Sequence, residues 1–144
     1  MADMSTIVIA DRNPHIRDFL SKEFSREGYH VIVAKDGKQL MDMLNSSSLP
    51  ALLIMDLDIP CANGLQVLQW LRGHCPTVPV VIHTDYTEFM GHSLVQDAAA
   101  FVEKTGYNVE LLKATARRVL RGRADETVRV SSAGQFVPLG GKKS

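Results

Sequence analysis

Five short apolar runs, each followed by a stretch of helical periodicity, constrain this chain more than any other feature. The runs are Thr6–Ala10 (TIVIA), Tyr29–Ala34 (YHVIVA), Ala51–Met55 (ALLIM), Val78–His83 (VPVVIH) and Ala100–Glu103 (AFVE). β-Branched runs of this length read as strands, and an uninterrupted one such as ALLIM suits a strand buried on both faces. Pro79 is tolerable near the start of its run. Between the runs the apolar spacing is helical. Asn13-Pro14 reads as a cap and first turn, followed by Ile16, Phe19, Leu20 and Phe24, with Gly28 as the stop. Asp36 caps a second helix through Leu40, Met43 and Leu44, and Leu65, Leu68 and Leu71 mark a third. Phe89, Met90, Leu94 and Val95 suggest a short fourth, and Val109, Leu112, Ala116, Val119 and Leu120 stripe the last. Strand and helix alternating five times specify an α/β, doubly wound (βα)5 fold: a parallel sheet with helices on both faces. The pattern predicts one domain over residues 1–123. Residues 124–144 form a C-terminal tail, either a small hairpin around Ser132–Gly134 or disordered, too short for an output domain.

Composition narrows the classes. Of the 144 residues, 45% are hydrophobic and 22% charged, as in a globular protein. No apolar run approaches the ~18 residues of a membrane helix, and the N-terminus lacks the pattern of a signal peptide, so a cytoplasmic location with no membrane contact is expected. Cys61 and Cys75 are read as small buried thiols rather than a disulfide. The chain is neutral overall, but residues 113–144 carry a net charge of about +6 against about −6 elsewhere. No aromatic residues interleave with the basic positions of the last helix, so a solvated basic face is the reading, not nucleic-acid binding.

Open parallel sheets bind ligands beyond the carboxyl ends of their strands. The residues at those ends are Asp11 and Arg12, Asp56, Thr84 and Lys104. Two carboxylates, a hydroxyl and two cations in one pocket suit a divalent cation and a transferable phosphoryl group. No Gly-rich phosphate loop of either common type occurs, which argues against a nucleotide- or flavin-dependent enzyme on this architecture.

These residues lie in segments that, from residue 6 to about residue 121, resemble the response-regulator receiver family of two-component signalling (CheY-like). IVIADRNPHIR resembles the family's acidic first loop. LLIMDLDIPCANG resembles its phosphoacceptor segment, with a proline four and a glycine eight residues after the aspartate. VVIHTD resembles the strand carrying the switch hydroxyl, and AAAFVEK the aromatic-to-lysine segment. The resemblance implies a flavodoxin-like fold with a five-stranded parallel sheet of order 2-1-3-4-5. It implies a phosphorelay receiver, not an enzyme, that takes a phosphoryl group on Asp56 from a sensor histidine kinase or phosphotransfer protein and signals to a downstream protein. In that reading Asp56 is the nucleophile, ionised at neutral pH. Mg²⁺ is held by Asp11, Asp56 and the backbone carbonyl of Asp58, Thr84 and Lys104 contact the phosphoryl oxygens, and Phe101 stands at the place of an aromatic switch. Plainer readings stand beside these: a loop-capping aspartate, an ordinary strand threonine, a solvated lysine, a core phenylalanine, and a structural His83.

Four departures from the family pattern bear on the mechanism. The acidic pair of the first loop is Asp11-Arg12, and a guanidinium cannot ligate a metal ion. Arg12 is expected to point at Asp56 and weaken Mg²⁺ binding. Asp85 follows Thr84 where a small residue is usual and modulates the pocket mouth. Thr105 replaces the usual proline after Lys104. The stretch from Thr84 to Lys104 is short, with Asp97 where a helix-ending glycine is common. Two hypotheses follow: a working phosphoreceiver with modified metal chemistry, or a pseudo-receiver that binds proteins independently of phosphate. In either case the family's output face of helix 4, strand 5 and helix 5 is expected to bind a partner or a second copy as a homodimer, lined by Lys113, Arg117 and Arg121.

Overall fold

The computed structural model describes residues 5–46, 48–61, 63–85, 89–104, 109–122, 128–130 and 136–138. The elements alternate as expected: β1 (Thr6–Ala10), α1 (Pro14–Arg26), β2 (His30–Ala34), α2 (Gly37–Leu44), β3 (Leu52–Met55), α3 (Gly64–His74), β4 (Val80–Thr84), α4 (Ser93–Gln96), β5 (Ala100–Glu103) and α5 (Val109–Gly122). Two further strands, β6 (Val128–Val130) and β7 (Phe136–Pro138), follow. β4 begins after Pro79 rather than before it, and the Pro79 carbonyl still accepts from the Leu53 N–H of β3 at 3.0 Å.

The sheet order is β2-β1-β3-β4-β5-β6-β7. The first five strands are parallel and take the expected order 2-1-3-4-5. The sheet then continues: β6 adds to β5 in parallel and β7 returns antiparallel. The turn residues 131–135, which include the expected bend at Ser132–Gly134, lie outside the described residues.

Side chains alternate across the sheet and build two cores. Val8, Leu53, Met55 and Ile82 face α2, α3 and α4, with Leu40, Leu44, Leu68, Leu71 and Val95. Ile7, Ile9, Ile54 and Val81 face α1 and α5, with Leu20, Phe24, Leu112 and Ala116. Helix starts follow the sequence. Asn13 accepts from the backbone N–H of His15 and Ile16, Asp36 from Gln39, and Asn63 from Leu65, each meeting otherwise unpaired first-turn donors. α4 spans only four residues, capped at its start by His92 and at its end by Asp97, so Phe89 and Met90 precede the helix instead of joining it. Asp97 also forms an ion pair with Arg72 of α3, which pins the end of this short element. Among the described residues, no helix is long and apolar enough to cross a membrane.

Two expectations need correction. Cys75 is buried, but Cys61 is exposed in the loop after β3, where it adopts a left-handed backbone with φ of 65°. The basic residues of α5 do not form a purely solvated face. Lys113 is only 7% exposed and reaches Glu23 and Glu27 of α1, 3.1 and 3.4 Å away, as well as Glu110 of its own helix at 3.2 Å. Arg117 also pairs with Glu27, at 3.5 Å. Two of the basic residues of α5, Lys113 and Arg117, are therefore answered within the chain by Glu23 and Glu27. The hydrogen bond to Glu23 holds the Lys113 ammonium above its usual pKa, against the opposing effect of burial and with help from Glu110 and Glu27. Lys113 and Arg117 thus face α1 rather than a face shared with α4.

Candidate functional site

β1 and β3 are neighbours, so Asp11 and Asp56 leave the sheet side by side at its carboxyl end. The Asp56 N–H donates to the Ala10 carbonyl at 3.0 Å, and the Asp11 N–H to Ala34 at 3.2 Å, which fixes both positions through backbone. Both residues are buried, Asp56 at 5% and Asp11 at 2% exposure. Burying two carboxylates needs compensating partners. Lys104, immediately after β5, supplies them: its Nζ is 2.5 Å from Asp56 Oδ2 and 2.7 Å from Asp11 Oδ2. The Lys104 backbone N–H donates to the Thr84 carbonyl, locking the base of that side chain to β4.

The second oxygen of Asp56 is equally engaged. Oδ1 accepts from the Thr84 hydroxyl at 2.7 Å and from the Asp58 N–H at 3.0 Å. Asp11 Oδ1 accepts from the Asn13 N–H at 2.9 Å, and its carbonyl from Arg17 at 2.7 Å. Burial alone would lower the Lys104 pKa. Hydrogen bonds to Asp11 and Asp56, with their charges, outweigh it and hold the ammonium above its ordinary value. The result is a buried carboxylate with a hydroxyl and an amide on one oxygen and an ammonium on the other.

The remaining expected residues take different places. Arg12 does not point at Asp56: its Nη1 pairs with Asp58 Oδ2 at 3.1 Å, in a bridge whose side chains are 56% and 38% exposed. The reason is that Lys104 already fills the space beside Asp56, while Asp58 offers a solvent-facing carboxylate on the adjoining loop. Among the described residues, no three His, Cys, Asp or Glu side chains gather as a metal-holding group. Asp85 is exposed just after Thr84. Phe101 is wholly buried in the core on the α2–α4 side. Thr105 lies outside the described residues.

Two contributors carried little sequence signal. A Cβ on Gly64 would fall 2.5 Å from the Leu57 carbonyl oxygen and 2.7 Å from its Cα, so only glycine lets α3 close against the residue following Asp56. The motif spacing drew attention to this glycine, but its contact was invisible. His83, on β4 beside Thr84, has a buried Nδ1 with no hydrogen-bond partner. Burial first, then the charge of Lys104, lowers its pKa to about 4, with Asp56 opposing. The ring is therefore neutral at pH 7 and leaves the local positive charge to Lys104.

A doubly wound sheet with a carboxylate, a hydroxyl and a lysine converging at its carboxyl end defines a receiver-type module. Residues 7–116 match the family model described as the response regulator receiver domain. The chain belongs to this family of two-component signalling proteins. It is 30% identical over 135 residues to the response regulator MprA of Mycobacterium tuberculosis, covering 92% of this chain and 58% of that protein. The chain thus spans little more than half of that relative. It is also 32% identical over 82 residues to sporulation initiation phosphotransferase F of Bacillus subtilis, covering 57% of this chain and 65% of that one. Among solved structures, the response regulator TrrA of Thermotoga maritima in complex with Mg²⁺-BeF superposes with a TM-score of 0.71 at 25% identity, over 79% of this chain and 98% of that one. A structure of the histidine kinase ThkA in complex with TrrA superposes with a TM-score of 0.73 at 26% identity, over 81% of this chain and 99% of the matched chain.

Proposed function

We propose that Asp56 accepts a phosphoryl group from a phosphohistidine of a histidine kinase or phosphotransfer protein, and that the domain passes the change to a downstream protein as a signalling module, not an enzyme. The observation that carries this reading is the fixing of both Asp56 oxygens by Thr84 and Lys104. An ionised carboxylate needs no base to attack phosphorus. One oxygen bonds to phosphorus as the phosphorus–nitrogen bond breaks, and the histidine nitrogen keeps that electron pair and takes a proton. The transferring group spreads negative charge over its oxygens. Lys104 and Thr84 are in place to meet that charge, which spares reorganisation during transfer.

The donor set fits Mg²⁺. Asp11 and Asp56 already direct hard carboxylate oxygens at a single cation, the Lys104 ammonium. These two residues would hold the ion with the Asp58 carbonyl, and the ion, when bound, would neutralise phosphoryl charge. Arg12 weakens this binding from a short distance by adding positive charge and engaging Asp58, not by touching Asp56. The test is intact mass after incubation with acetyl phosphate and Mg²⁺. Wild type should gain one phosphoryl group and Asp56→Asn none. An unchanged wild-type mass overturns the reading.

A second reading has an observation of its own. Lys104 bridges both buried carboxylates without phosphate or metal. A site held together in this way suits a pseudo-receiver that binds proteins in one fixed state. Failure of Asp56 to label under conditions that label another receiver would favour it.

A further inference from the structure

β5 ends the five-stranded parallel array, and its outer edge would otherwise present unpaired N–H and C=O groups. In this chain β6 sits on that edge, with Ala100 opposite Val128, Phe101 opposite Arg129 and Val102 opposite Val130. β7 closes over β6, with Val128 opposite Pro138 and Val130 opposite Phe136. An open apolar edge is a template for pairing with another chain. The hairpin exchanges the edge Ala100–Glu103 for a three-residue strand that ends in Pro138, which has no N–H to donate. The cap is also short. β6 and β7, three residues each, are the last strands at their end of the sheet, and short edge elements open at lower cost than central ones.

We propose that β6 and β7 are a built-in cap on the β5 edge, whose release lets β5 pair antiparallel with β5 of a second copy. The edge itself argues for that occupant. A two-fold axis between Phe101 and Val102 sets Ala100 against the second copy's Glu103 and Phe101 against its Val102, so no like charges oppose each other. The other sheet edge, β2, pairs with no strand but β1 among the described residues, whether or not the hairpin is seated, so it cannot make association depend on the hairpin. The device needs no phosphate and stands apart from the chemistry of Asp56.

The experiment uses the full chain. Arg129→Pro breaks β6 at its centre, Val137→Pro does the same one strand further out, and Arg129→Ala keeps the backbone donor. Circular dichroism checks that each variant is folded. Hydrogen exchange at residues 100–103 and sedimentation velocity over a concentration series are the readouts. Both proline variants should exchange about tenfold faster or more at β5 and form a faster-sedimenting species that grows with concentration. Arg129→Ala should match wild type in both. Unchanged β5 exchange in the proline variants, faster exchange without self-association, or the same behaviour from Arg129→Ala overturns the proposal.

Discussion

Arg12 Nη1 lies 3.1 Å from Asp58 Oδ2, joining the loop after β1 to the loop after β3 across the mouth of the pocket. The pair is substantially exposed, so its effect on stability is small, about 0–1 kcal/mol. Its proposed effect on a metal ion is larger, because the guanidinium adds a fixed positive charge on the loop that adjoins Asp11. Arg12→Asp should leave the denaturation midpoint nearly unchanged and tighten Mg²⁺ binding in calorimetric titration. Equal Mg²⁺ affinity in wild type and mutant would show that the guanidinium does not govern the site.

Lys104 gives a stability prediction with a definite sign. Its pKa is raised in the folded state, so its stabilising contribution is fully present below the unfolded pKa, ordinarily 10.5, and is lost as pH rises through the folded value. Lys104→Met should be less stable than wild type at pH 7, because two buried carboxylates lose their cation. The gap should narrow above about pH 10.5. Urea midpoints of both proteins between pH 7 and pH 11 provide the check, and a gap constant across that range contradicts it.

Ile54 tests the core. It is 1% exposed on β3 and packs between the sheet and the α1–α5 layer. Ile54→Ala should cost about 2–5 kcal/mol, from lost burial and the cavity left behind. An unchanged midpoint in chemical denaturation would contradict this packing.

Gly64 tests the loop that follows Asp56. A methyl group there meets the Leu57 backbone, which cannot rotate away as a side chain could. Gly64→Ala should destabilise by about 1–3 kcal/mol. It should also slow labelling of Asp56 by acetyl phosphate, because the displaced segment includes Asp58, whose N–H holds Asp56 Oδ1. Labelling at the wild-type rate in a destabilised mutant would separate the loop's packing from the site.

The strands were legible because each apolar run was bounded and alternated with helical spacing, whereas their order followed from the resemblance to the receiver family. The short α4 was legible in the interval between Thr84 and Lys104 and in Asp97. Side-chain partners were less so. Helical spacing put Lys113 and Arg117 on one face of α5, but whether that face met α1 or solvent depended on the crossing of two helices distant in sequence. Arg12 is long enough to reach either aspartate, and the outcome turned on Lys104 standing beside Asp56. The segments VRV and FVP are too short for alternation to indicate a strand, so their place beside β5 needed the assembled sheet.

His83 makes the last prediction. Its folded pKa lies near 4, below the ordinary 6.5, because burial and Lys104 disfavour the imidazolium. A histidine kept neutral in the fold binds its proton more readily when the chain unfolds. Between pH 6.5 and about pH 4 the unfolded state therefore takes up more protons, and stability falls as pH falls through that window. His83→Gln removes the titration but keeps a polar side chain on β4. The mutant should lose less stability than wild type over this interval, whatever its stability at pH 7. The comparison is of slopes, because carboxylates titrate in both proteins below about pH 5 and shift the two curves alike. Parallel midpoint-against-pH curves for wild type and mutant would mean that the His83 ring is protonated as readily inside the fold as outside it, and that Lys104 does not reach it.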